Sequence, residues 1–116
     1  MANVLDLIAN KIGARVNYYK NQYASSAGST ISQIVKDDPN RLALMVINLG
    51  SYDLFLAPDP QVSATRGIFV ASAGGSWGVE WQEDYILPIL GWYAYAADTT
   101  DLLIIELIIS GEVPKP

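Results

Sequence analysis

Side chains capable of chemistry are present in this chain, but the pairings that chemistry needs are missing. Carboxylates stand in twos at Asp37–Asp38 and Glu83–Asp84 and singly at Asp53, Asp59, Asp98 and Asp101. Two carboxylates at a set separation can serve as general acid and base, and oxygen ligands at regular spacing can hold calcium. These acids lie mostly in turns and show no calcium-loop spacing, so solvated turn residues are their expected role. Ser and Thr are plentiful, yet the chain has no histidine to activate a hydroxyl and no cysteine for thiol chemistry, a zinc ribbon or a disulfide. A Ser-Lys pair or a carboxylate pair is left without support. "AGGS" (73–76) is glycine-rich but joins two strands, so it lacks the helix N-terminus a phosphate-cradling loop uses. The rings of Trp77, Trp81, Trp92, Tyr93 and Tyr95 could stack on sugar faces. Core or interface packing is the competing role: Trp77 and Trp81 flank Val79 on one strand face, while Trp92 and Tyr93 must point in opposite directions. No enzymatic activity, cofactor or metal is expected.

Composition turns attention from reactions to surfaces. Of the 116 residues, 51% are hydrophobic and 16% charged, where soluble domains carry about 25% charged residues. Part of the surface is therefore expected to meet protein rather than water. The net charge of −5 is uneven: residues 1–28 hold one acid against three bases, a net of +2, and residues 29–116 hold eleven against four, a net of −7. An acidic body lacks the clustered Lys and Arg of a nucleic-acid surface. The longest uncharged apolar run, "ILPILGWYAYAA" (86–97), is interrupted by Pro88 and Gly91 and is about half of a membrane span, so no transmembrane segment is expected. The N-terminus does not read as a secretory signal, so synthesis and retention in a cytoplasm are expected.

The elements follow from periodicity. Leu5, Ile8, Ile12, Val16, Tyr19 and Tyr23 recur at three- and four-residue spacing, which predicts an amphipathic helix or arm over residues 1–24. Gly13 weakens it by about 1 kcal/mol, so the helix needs a partner. "SSAGS" (25–29) reads as a hinge. Strands are expected at 30–36, 41–49, 52–58, 68–72, 76–82, 91–97 and in the closing stretch, with "GS" (50–51) closing a hairpin. About seven short strands with no intervening helix-length segment predict an all-β fold over residues 30–116, a jelly-roll-like antiparallel β-sandwich preceded by the one helix.

"LLIIELII" (102–109) is apolar on both faces. Placing Glu106 outward sends Leu103, Ile105, Leu107 and Ile109 to the core and leaves Leu102, Ile104 and Ile108 as an exposed apolar patch. The expected interface set is therefore Leu5, Ile8, Ile12, Val16 and Tyr19 on the helix with Leu102, Ile104 and Ile108 on the strand. Its partner is another copy of the chain or a scaffold; the alternatives are a core strand with one half-exposed face and an N-terminal helix that folds back over the sandwich of its own chain.

The order "RLALMVINLGSYDLFLAP", "VSATRGIFVASAGGSWGVE", "GWYAYAADTTDLLIIEL" across residues 41–107 resembles small β-sandwich virion proteins of tailed bacteriophages. The resemblance covers roughly 60% of the chain, all of it β. It implies a structural capsid-associated protein of decoration, cement or head-fibre type that forms a homo-oligomer, a trimer by the habit of the class, attached to the major capsid protein in the virion. The alternative function is a carbohydrate- or receptor-binding module of a phage fibre or tail.

Overall fold

A computed structural model describes residues 16–84 and 86–112, with side chains from Tyr19 to Asp84 and from Ile86 to Ile109. Its strands are β1 (Val16–Ala27), β2 (Ser32–Val35), β3 (Arg41–Asn48), β4 (Leu54–Ala57), β5 (Ile68–Val70), β6 (Gly75–Glu80), β7 (Trp92–Ala96) and β8 (Thr100–Glu112). They form two four-stranded sheets, ordered β1-β8-β3-β6 and β2-β7-β4-β5, and every pairing is antiparallel. The expected all-β class is what the chain adopts.

The inward sides of both sheets meet in one core. Leu44 and Val46 of β3, Val79 of β6 and Leu102 and Ile104 of β8 cluster with Leu54 and Leu56 of β4, Val70 of β5 and Trp92 and Ala94 of β7. Trp92, 1% exposed, meets Trp77 from the opposite sheet at 4.4 Å between ring centroids, tilted by 60°. Such tilted pairs add about 0.5–1.5 kcal/mol beyond area burial. Trp77 and Val79 share the inward face as expected, but Trp81 leaves the strand in a short helical turn, Trp81–Asp84.

Three expectations are corrected. Residues 16–24 are not helical: they belong to β1, which runs antiparallel to β8 from Val16 opposite Glu112 to Ala27 opposite Thr100. Tyr19 and Tyr23 stand four apart, and that spacing keeps two side chains on one face of a strand as well as of a helix. The long free edge of β8 decides between the two, because its backbone groups need partners. The hinge shrinks accordingly, with Ser25 to Ala27 inside β1 and the bend at Gly28 to Thr30. The helix expected over residues 1–15 lies outside the described residues.

The hairpin at "GS" is the second correction. β3 and β4 lie in different sheets, so the connection through Gly50 carries the chain from one layer to the other. Among consecutive strands of the described residues, β4 and β5 alone pair directly.

The third concerns β8. Leu102, Ile104 and Ile108 are buried at 1%, 0% and 5% exposure, and Glu106 is buried with them at 6%. Leu103, Ile105, Leu107 and Ile109 are the half-buried outer row. Side chains alternate with a period of two, so assigning Glu106 to solvent turns the whole strand over. The glutamate faces inward because a buried arginine waits there.

Candidate functional site

At one end of the core, Arg41 begins β3 at 3% exposure. Its guanidinium donates to the carbonyls of Pro88 (3.1 Å), Leu90 (3.1 Å) and Lys36 (2.7 Å) and lies 3.7 Å from Glu106 Oε1. The Tyr23 hydroxyl donates to the same carboxylate oxygen at 2.9 Å. Sequence order scatters these groups; the β1-β8-β3 pairing assembles them. The planar fork of arginine suits several acceptors at once, and a buried carboxylate is tolerated when charge and hydrogen bonds compensate it. Among the described residues Arg41 Nε has no hydrogen-bond partner. Because three donors are committed to backbone carbonyls of the 36 and 88–90 segments, the cluster ties the two layers together at this end.

Burial raises the Tyr23 hydroxyl well above the ordinary tyrosine value, and the hydrogen bond and negative charge of Glu106 push it further, against a smaller opposing effect of Arg41. An unfolded tyrosine ionises near about 10. Below that pH both states keep the proton; above it the unfolded chain releases one that the folded chain retains, so folding stability falls as pH climbs beyond about 10. In a spectrophotometric titration the Tyr23 hydroxyl is expected to stay un-ionised until the protein unfolds. Tyr23→Phe is expected to cost about 1.5 kcal/mol at neutral pH and to flatten the alkaline decline. An unchanged alkaline profile would contradict the assignment.

The opposite end is held by Asn48, fully buried at the end of β3. Its amide donates to the carbonyls of Tyr52 (2.7 Å) and Val70 (3.2 Å), and its oxygen accepts from Thr100 Oγ1 (2.7 Å) and Gly50 N (3.2 Å). Gly50 sits against Thr100 so closely that a Cβ there would overlap Thr100 Oγ1 and lie 2.7 Å from Asp101 N. Asp38, Asp53, Asp59, Asp84 and Asp98 each accept a backbone N–H at 2.7–3.0 Å. Among the described residues no group of three or more potential metal ligands converges, and no helix is long and apolar enough to cross a membrane.

The outer face of the β1-β8-β3-β6 sheet carries an open apolar hollow. Cross-strand register sets its rows: Lys20, Leu107, Ala43 and Glu80; then Gln22, Ile105, Met45 and Gly78; then Ala24, Leu103, Ile47 and Ser76. Met45 is 44% exposed at the centre. Because Gly78 has no side chain beside it, a hollow of about 490 Å³ opens over Met45, Ile105 and Leu107, rimmed by Glu80, Glu83 and Asp84. The run "RLALMVINL" is apolar on both faces, which predicts cover on both sides of β3; the described residues leave this side open.

Of the interface residues expected from sequence, Leu5, Ile8 and Ile12 lie outside the described residues, and Val16 is described by its backbone in β1. Tyr19 is on β1 and 48% exposed, whereas Leu102, Ile104 and Ile108 are in the core. The tryptophans do not form an exposed platform: Trp92 is in the core and Trp77 packs against it. On the outer face of the other sheet, Phe55 lies 5.8 Å from Phe69 and 6.4 Å from Tyr95, and Phe69 is 58% exposed.

No protein-family model matches the chain, and no curated protein matches it. Among solved structures it is similar to the Bacillus endospore appendage pili protein, with 15% identity, TM-score 0.47, and 81% of this chain and 88% of that one covered. It is similar also to the SPBc2 prophage-derived protein YomS, with 12% identity, TM-score 0.46 and coverage of 81% and 96%. A cupin-2 domain protein of Shewanella frigidimarina follows, with 13% identity, TM-score 0.42 and coverage of 84% and 89%. Likeness at this level carries no functional inference.

Proposed function

We propose that this is a structural, non-enzymatic protein: a jelly-roll domain that self-associates and is carried on a capsid shell as a decoration or cement component of a virion. The strand orders β1-β8-β3-β6 and β2-β7-β4-β5 follow the double Greek key of that architecture, with neighbouring strands of one sheet supplied from distant parts of the chain. The observation that carries the reading is the outer sheet face, where Met45, Ile105 and Leu107 sit around an open apolar hollow. Each Leu or Ile taken fully out of water contributes about 1.5–3 kcal/mol, and side chains left half-covered still have part of that to gain. The buried polar groups support a scaffold role too, since Arg41 and Asn48 spend their donors on backbone carbonyls.

Adhesion is then the work performed: apolar sheet faces join copies, and the acidic remainder of the surface keeps the assembly soluble. The test adds the full chain to undecorated shells of the major capsid protein proposed as its partner. Stoichiometric co-sedimentation of an oligomer is expected; a monomer that stays in the supernatant would overturn the proposal. The recognition reading draws on the outer ring group Phe55, Phe69 and Tyr95, and saturable quenching of intrinsic fluorescence by a glycan panel would favour it instead.

A further inference from the structure

We infer that the outer face of the β1-β8-β3-β6 sheet binds the same face of a second copy about a two-fold axis that runs along the strands between β8 and β3. This rests on the self-association proposed above and names the surface and the symmetry.

The register makes the face self-complementary. Lys20, Leu107, Ala43 and Glu80 form one row across the sheet, base at the β1 edge and acid at the β6 edge. Strands sit about 4.8 Å apart, so β1 and β6 lie about 7 Å to either side of a line drawn between β8 and β3. Rotation by half a turn about that line lays each copy's β1 over the other's β6 without shifting the rows. Lys20 of each copy then faces Glu80 of the other, with Glu83 and Asp84 at the rim of the same hollow. Leu107 meets Ala43, and Ile105 meets Met45, so large side chains oppose smaller or flexible ones. Gln22 reaches the gap at Gly78. A two-fold axis across the strands would instead lay β1 over β1 and β6 over β6, which takes Lys20 away from Glu80 of the other copy.

Two sheets packed this way keep their strands within about 30° of each other and stand about 10 Å apart, as in the core of a sandwich. Isologous contact of this kind also closes: it makes a dimer and leaves no unused complementary patch. The three-fold form expected from the resemblance has no counterpart in this register.

The test uses the full chain and light scattering. Lys20→Glu and Glu80→Lys are each expected to weaken association at least tenfold, to a mass near 12.6 kDa at low micromolar concentration. Mixed in equal amounts, the two variants are expected to recover the wild-type dimer mass, because each then supplies the opposite charges at both contacts. Circular dichroism of each variant, unchanged from wild type, separates lost association from lost fold. A wild-type oligomer indifferent to both substitutions, or a mixture that stays dissociated, would overturn this face while sparing self-association; coverage of the hollow by the chain's own residues 1–15 would produce that result. A monomeric wild type would overturn both.

Discussion

Arg41→Ala is expected to cost about 3–5 kcal/mol of folding stability, read from urea unfolding, because it leaves a buried carboxylate without its counter-charge. Glu106 is 6% exposed and would keep, among the described residues, Tyr23 alone as a side-chain partner, while the carbonyls of Lys36, Pro88 and Leu90 would lose their shared donor. Arg41→Lys keeps a charge but not a fork that spans three acceptors, so it is expected to recover a fraction of the loss. The informative comparison is the double variant Arg41→Met with Glu106→Leu. Removing both charges and filling their space is expected to cost far less than the two single changes added together, since neither partner is then left alone in the core. Additive losses would mean that the two groups do not act as a pair.

Asn48→Ala is expected to cost about 3 kcal/mol, the second large effect. Its fully buried amide sits at the crossing from one sheet to the other and meets four partners, so alanine takes a hydrogen bond from Thr100 Oγ1, Gly50 N and two carbonyls. Each buried group left unsatisfied costs about 1–3 kcal/mol, moderated by whatever local shift finds it a substitute. Asn21→Ala, at an exposed position of β1, is the control and is expected to stay within about 0.5 kcal/mol of wild type. Equal effects at the two asparagines would refute the view that the corner is held by hydrogen bonds.

Both clusters bear on how much of the fold is legible in the amino-acid sequence. The strands β3, β6 and β7 and the all-β class follow from alternation and turn residues, because those signals are local. The corner at Asn48 shows in the sequence only as the turn "NLG"; nothing in those residues says that the chain changes sheets there, since the bonds to Val70 and Thr100 are 22 and 52 residues away. Alternation assigns β8 the right period and the wrong phase. A single glutamate in an apolar run is ordinarily a marker of solvent, and that rule fails when a counter-charge is buried 65 positions earlier in the chain, at Arg41. The inversion moves the sticky surface from Leu102, Ile104 and Ile108 to Leu103, Ile105 and Leu107. The underlying expectation, more apolar strand surface than one copy's core accommodates, applies to the second set as it does to the first. For β1 the difficulty lies elsewhere: a spacing of four is shared by both periodicities, and the partner strand that resolves it is the last in the chain.

The central claim is that the outer face of the first sheet is adhesive. Sedimentation velocity of the full chain beside Ile105→Asp tests it most directly, since that side chain lies at the hollow and outside the core. The expected result is a wild-type species heavier than the 12.6 kDa chain at micromolar concentration and a folded, monomeric Ile105→Asp. A wild type that sediments as a single chain at every concentration, with the variant indistinguishable from it, would contradict the account.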